Sequence, residues 1–167
     1  MKQLLSIIAT LHLKNLGIMT LQDGGLLLVE DNQNDILLFQ RALRKAELDV
    51  PLNVVQDGEQ AIRYLLGQTH YANRSKYPLP TLIFMDIHLP RKSGLEVLEW
   101  LKTQSTLRRT PVIVFTASQA DVDINQAYDN GANSYVIKPA SFKALEDIVV
   151  SIKEFWIEKN CYPSAVF

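Results

Sequence analysis

From residue 25 onward the chain alternates between two hydrophobic periods, and that alternation restricts its fold more than any other feature. Five runs are short, apolar and β-prone: "GLLLVE" (25–30), "PLNVV" (51–55), "TLIFMD" (81–86), "TPVIVFT" (110–116) and "NSYVIK" (133–138). They are continuous rather than alternating, as suits strands buried on both faces. Between and after them lie five segments with helical spacing. Ile36, Leu37, Phe39, Gln40, Leu43 and Ala46 carry the first, with Asn32 or Asn34 as its N-cap. Ala61, Ile62, Tyr64, Leu65 and Leu66 carry the second, and Leu95, Val97, Leu98 and Leu101 the third, after Ser93. Val122, Ile124 and Ala127 carry a shorter fourth. The last, from Ser141, sets Phe142, Leu145, Val149, Ile152 and Trp156 on one stripe. Five strands alternating with five helices imply right-handed crossovers and an α/β fold: a five-stranded parallel sheet with helices on both faces.

At 167 residues the chain is most simply one domain, large enough to bury a core without disulfide staples. A net charge of −1 supplies no long-range attraction to nucleic acid or to a membrane surface, and neither is expected as a partner. The single cysteine, Cys161, has no internal disulfide partner, which fits a reducing, cytoplasmic compartment and an inert thiol. "MKQLLSIIATLHL" has the lysine-then-apolar pattern of a signal peptide. It lacks a small-x-small cleavage site, is interrupted by His12 and Lys14, and is too short to span a bilayer. Residues 1–24 are therefore read as a leader, an accessory helix or a disordered arm, with Met19 left open as an alternative start. Residues 25–158 form the expected domain. Residues 159–167 are a tail with no room for an output domain, and the polar "GQTHYANRSKYPLP" (67–80) reads as an exposed excursion.

Sites in open parallel sheets form beyond the carboxyl ends of the strands. The first strand ends in Glu30-Asp31, the third in Asp86, the fourth in Thr116 and the fifth in Lys138. "LIFMDIHLP" (82–90) poses the problem sharply, because an apolar run stops at a carboxylate with Pro90 and Gly94 behind it. A charge there costs desolvation unless something compensates it. Three acids on one edge repel, and a raised pKa or a bound cation relieves them. All-oxygen ligation with room for water suits Mg²⁺. Thr116 and Lys138 would then serve as donors to phosphoryl oxygens on Asp86. No cysteine or second histidine completes a zinc site with His12, His70 or His88, and the His88 ring is expected to face solvent.

In these residues the sequence resembles the receiver domains of two-component response regulators. "LLLVEDNQND" is similar to the family's first-strand acid pair, "FMDIHLPRKSGLEVL" to its phosphoacceptor strand and loop, "VIVFTAS" to its threonine strand and "SYVIKPAS" to its Lys-Pro turn. The resemblance runs from residue 25 to about 158, and the intervals of 30 residues from Asp86 to Thr116 and 22 from Thr116 to Lys138 fit it. It implies a flavodoxin-like sheet of order 2-1-3-4-5. It also implies that Asp86 is the nucleophile that takes a phosphoryl group from a sensor histidine kinase. Asp31 and Asp86 would hold Mg²⁺ through their side chains, His88 through its backbone carbonyl, and Glu30 mainly through water. Thr116 would bind a phosphoryl oxygen, Lys138 would pair with it across a cis Lys138–Pro139 bond, and Tyr135 would be the switch aromatic. Such a protein is a signalling phosphoacceptor whose own chemistry is self-phosphorylation and autodephosphorylation, not an enzyme acting on free substrate.

The long excursion, "LPRKSGLEVL", the terminal "FWIE" and the missing output domain resemble the small regulators that partner bacterial, notably cyanobacterial, phytochrome kinases. A dehalogenase-type phosphatase would place its nucleophile at the end of the first strand as Asp-x-Asp, whereas this strand reads "VEDNQND". A flavin-binding flavodoxin would need a hydroxyl- and glycine-rich phosphate loop there, not Glu30 and Asp31. With no output domain, signalling falls to protein contacts with an unknown downstream partner. Phe155 and Ile157, with Val150 and the tail residues Tyr162, Val166 and Phe167, offer an apolar patch on the last helix. Either the leader covers it or, as the resemblance also implies, it forms a homodimer.

Overall fold

The computed structural model describes residues 24–162. The expectations for residues 1–23, Met19 among them, and for Val166 and Phe167 lie outside the described residues. Strands and helices alternate as β1 (Leu26–Val29), α1 (Gln33–Lys45), β2 (Leu52–Val55), α2 (Gly58–Leu66), β3 (Leu82–Met85), α3 (Gly94–Thr103), β4 (Val112–Thr116), α4 (Asp121–Asp129), β5 (Ser134–Ile137) and α5 (Phe142–Ile152). All four ladders are parallel and the order is β2-β1-β3-β4-β5, so the order reverses between β1 and β3.

Every residue of β1, β3 and β4 is buried, as continuous apolar runs require of central strands. Alternate side chains feed two cores. Leu27, Val29, Ile83, Met85 and Val114 meet α2, α3 and α4 on one face. Leu26, Leu28, Phe84, Ile113 and Phe115 meet α1 and α5 on the other. Side-chain caps open α1, α2, α3 and α5, while α4 starts after Ala120 without one. Asn32, not Asn34, caps α1 by accepting the Asn34 and Asp35 N–H groups, and Ser93 with Glu96 forms a reciprocal capping box on α3. No helix among the described residues is long and apolar enough to cross a membrane.

Four expectations are corrected. Leu37, Leu66 and Val122 help carry the helical spacing of the sequence, yet all three are exposed. On α1, Ile36, Phe39 and Leu43 occupy the sheet-facing arc, and Leu37 is turned about 100° away from Ile36. On the short α4 only Ala127 is buried. The excursion at 67–80 is only partly exposed, and it is pinned. Arg74 donates to the carbonyls of Tyr64 (2.8 Å), Leu65 (2.8 Å) and Tyr77 (3.2 Å), tying the excursion to the last turn of α2. Tyr71 is buried against Tyr64, with ring centroids 5.1 Å apart. Beyond α5 the chain makes a π-helical turn, Lys153–Ile157. The wider turn brings Ile157 back toward the core that Ile152 enters, while Phe155 stays exposed. Tyr162 is not surface apolar area either: it is buried and its hydroxyl donates to the Trp156 carbonyl at 2.5 Å.

The Tyr64 hydroxyl donates to the Pro78 carbonyl at 2.8 Å, and burial pushes the phenol up to about 12. A phenol raised above its unfolded value near 10 stabilises the fold fully below pH ~10 and loses that contribution as pH climbs toward 12. Tyr64→Phe should therefore cost about 1 kcal/mol at pH 7. Its urea-derived stability should also fall less steeply than that of wild type between pH 10 and 12.

Candidate functional site

β3 delivers Asp86 to the carboxyl edge of the sheet at 7% exposure, with its N–H bonded to the Val29 carbonyl at 3.0 Å. Gly94 allows the following loop to fold back on it. A Cβ at Gly94 would lie 2.1 Å from the Asp86 carbonyl oxygen, so only a glycine permits this approach. Both carboxylate oxygens are taken. Oδ1 accepts the Thr116 hydroxyl at 2.8 Å and the His88 N–H at 3.0 Å. Oδ2 accepts from Lys138 Nζ at 2.6 Å.

Lys138 is the centre of the arrangement. Its Nζ also lies 2.6 Å from Glu30 Oε2 and 2.9 Å from Asp35 Oδ2, so its three N–H donors meet three carboxylates. Burial alone would lower the ammonium's pKa. The hydrogen bonds from Asp86, Glu30 and Asp35 outweigh burial and hold it above its ordinary value. Burial raises the Glu30 carboxyl above the usual range, against the pull of Lys138 and the Asn32 N–H on its other oxygen. The sequence reading named Glu30, Asp86, Thr116 and Lys138, and these four do meet. It missed Asp35, whose signal was its place in the first turn of α1, four residues beyond Asp31.

Asp31 is exposed at the same edge, and so is His88, whose ring nitrogen Nε2 stands 3.9 Å from Asp123. Carboxylates of Glu30, Asp31 and Asp86 with a backbone carbonyl are the hard oxygen donors that Mg²⁺ takes. Glu30, Asp35 and Asp86, when ionised, leave an excess of two negative charges around Lys138, and Asp31 adds a third. The donor chemistry and the charge therefore fit a divalent cation. Among the described residues no three such side chains already stand as a metal cluster, since Lys138 holds oxygens of Glu30 and Asp86.

One feature differs from expectation. The described residues contain no cis peptide bond, so Lys138–Pro139 is trans, the form intrinsically favoured by about 0.5–1 kcal/mol before proline. The long lysine side chain reaches Asp86 without it. In the unmodified protein the Thr116 hydroxyl rests on Asp86. The Tyr135 hydroxyl donates to the Ser118 carbonyl at 3.2 Å, and the Ser118 N–H points back at Thr116 Oγ1 at 3.4 Å. A continuous polar chain thus runs from Asp86 through Thr116 and Ser118 to Tyr135. A second omission is Asp57, fully buried after β2, which caps α2 and pairs with Arg91 of the loop behind Asp86.

Removing the ammonium would leave Glu30, Asp35 and Asp86 facing one another unpaired. Lys138→Met should cost about 3–5 kcal/mol near neutral pH. The deficit should shrink as pH falls toward 4 and the carboxylates take up protons, measured as urea unfolding of both proteins across that range.

Comparison with known proteins agrees with this geometry. Residues 26–150 match the family described as the response regulator receiver domain. The probable methanogenesis regulatory protein FilR2 of Methanothrix harundinacea is 38% identical over 83% of this chain and 86% of its own. Response regulator Rcp1 of Synechocystis is 37% identical over 84% of this chain and 93% of its own. Its Mn(2+)-bound structure covers 97% of that chain at a TM-score of 0.75. The structure of the phosphorylated cyanobacterial phytochrome response regulator RcpA superposes at a TM-score of 0.77, with 40% identity over 83% of this chain and 97% of that one. A divalent ion in the Rcp1 structure accords with the donor set found here, and the sheet order agrees with the family's fold. The chain belongs to the response regulator receiver domain family.

Proposed function

We propose that Asp86 accepts a phosphoryl group from a phosphohistidine of a sensor histidine kinase, and that the protein signals through contacts that depend on this modification. The observation that carries the reading is Asp86 itself. It is a nearly buried carboxylate at the sheet's carboxyl edge, with a hydroxyl and an ammonium aimed at its oxygens. A carboxylate oxygen forms the new O–P bond as the donor's P–N bond breaks. The electron pair remains on the imidazole nitrogen, which takes a proton from solvent. Mg²⁺, held by Asp31, Asp86, the His88 carbonyl and, mainly through water, Glu30, would supply positive charge to the phosphoryl oxygens. Thr116 transfers its hydrogen bond from the carboxylate to one of those oxygens, and Lys138 pairs with another. The modification is reversed by water at phosphorus, and no free substrate is turned over.

Thr116 and Tyr135 form the switch in this reading. A shift of the Thr116 hydroxyl onto a phosphoryl oxygen alters its contact with the Ser118 N–H, and Tyr135 is bonded to the same residue. The signal then appears around α4, β5 and α5. Val150 on α5 and Phe155 in the π-helical turn after it are exposed, and an apolar groove of about 460 Å³ lies between Val136, Ile148, Ile152 and Trp156. That surface suits a two-fold homodimer. Similarity to RcpA supports a phytochrome-type kinase as the donor, while similarity to FilR2 keeps other sensor kinases in the test panel.

Acetyl phosphate with Mg²⁺ should add one phosphoryl group by intact mass, lost in Asp86→Asn and without Mg²⁺. An adduct that survives Asp86→Asn would refute the assignment. Thr116→Ala should keep labelling within about tenfold of wild type, yet abolish the modification-linked change in hydrogen exchange over α4, β5 and α5. By sedimentation, wild type should dimerise at micromolar concentration and Val150→Glu/Phe155→Ala should not. A wild type that stays monomeric in both phosphorylation states excludes the dimer.

A further inference from the structure

Lys138 has three N–H donors, and in the unmodified protein all three are used, by Asp86, Glu30 and Asp35. A phosphoryl oxygen arriving at Asp86 can bond Lys138 only if one of these acceptors gives way. The three are not equally easy to release. Glu30 is 2% exposed and its other oxygen already holds the Asn32 N–H, so freeing it strands a buried charge. Asp86 is the reacting group and remains beside the lysine. The Asp35 carboxylate is one-third exposed, makes the longest of the three contacts at 2.9 Å, and can turn to water. Its backbone is anchored independently, because its N–H donates to the Asn32 cap at 3.4 Å.

Resting on the reading that Asp86 is the phosphoacceptor, we infer that Asp35 is a positioning residue: it holds the third N–H of Lys138 until phosphoryl transfer and releases it to the phosphoryl oxygen. Asp35 competes with the transition state for that N–H and so restrains the rate. It also ties the first turn of α1 to the occupancy of the site. The transfer itself is balanced without a proton when acetyl phosphate is the donor. An Asp86 oxygen bonds to phosphorus, the P–O bond to the acetyl group breaks, and acetate leaves with the electron pair.

The test is the rate of Asp86 labelling by acetyl phosphate at saturating Mg²⁺ in wild type, Asp35→Asn and Asp35→Ala, followed by intact mass. Mg²⁺ affinity is measured by calorimetry on the same proteins. Asp35→Ala frees the N–H and should label about three to tenfold faster. Asp35→Asn keeps a neutral acceptor oxygen and should fall between Asp35→Ala and wild type. Mg²⁺ affinity should stay within about twofold. Equal acceleration in both variants would mean that charge removal alone acts, and would overturn the inference. So would an unchanged or slower rate, and so would a several-fold loss of Mg²⁺ affinity, which would make Asp35 a metal ligand. Labelling of wild type at a residue other than Asp86 overturns the functional reading and this inference with it. Labelling at Asp86 with wild-type rates in both variants overturns this inference alone.

Discussion

One buried ammonium organises the functional edge of this protein. Lys138 follows β5, and its Nζ lies among carboxylates placed by the ends of β1 and β3 and by α1. Without it, Glu30 and Asp86 would face each other across a nearly dry gap, at a cost that neither could avoid by reaching solvent. With it, each acid has a donor, and the cluster keeps enough negative charge to attract a cation. The ion cluster is thus a poised arrangement rather than a source of great stability, because burying charges offsets much of what their pairing contributes.

The backbone beneath holds that arrangement in register. Central strands buried on both faces cannot slip without moving whole rows of side chains from one core to the other, so the ends of β1, β3 and β4 are fixed relative to one another, and β5 pairs in register with β4. The loop behind Asp86 is fastened at two points. Gly94 lets it lie against the Asp86 carbonyl, and Arg91 pairs with the fully buried Asp57 at the start of α2. Ser118 extends the network outward, joining Thr116 to Tyr135 and to Asp123.

Much of this was legible in the chain before any coordinates. Continuous apolar runs marked the doubly covered strands, and reading the residue at each strand end brought Glu30, Asp86, Thr116 and Lys138 to one edge. What escaped had physical reasons. Asp35 and Ser118 lie beyond strand ends, on a helix and a loop, where position depends on caps and turns. Asp57 was overlooked because it follows β2 by two residues instead of ending it. Arg74 looked like a charge in a polar excursion, yet its guanidinium reaches backward to α2. Leu37 and Val122 satisfied a coarse helical period, but burial is decided by an arc that neighbouring residues fill first. The π-helical turn after Ile152 changed the period itself, so Ile157 fell on the core side. The trans Lys138–Pro139 bond departed from a family expectation, not from any residue pattern.

The central claim is that carboxylate pairing outweighs burial at Lys138, so that this side chain stays charged beyond the point where other lysines lose their protons. Titration of the lysine side chains by NMR in the Mg²⁺-free protein, with Lys138→Arg used to assign the resonance, measures this directly. The expected result is a Lys138 resonance that titrates above the ordinary lysine value of 10.5 and shifts downward in Glu30→Gln. A Lys138 that titrates with or below the surface lysines would contradict the ion cluster as the organising interaction of the site.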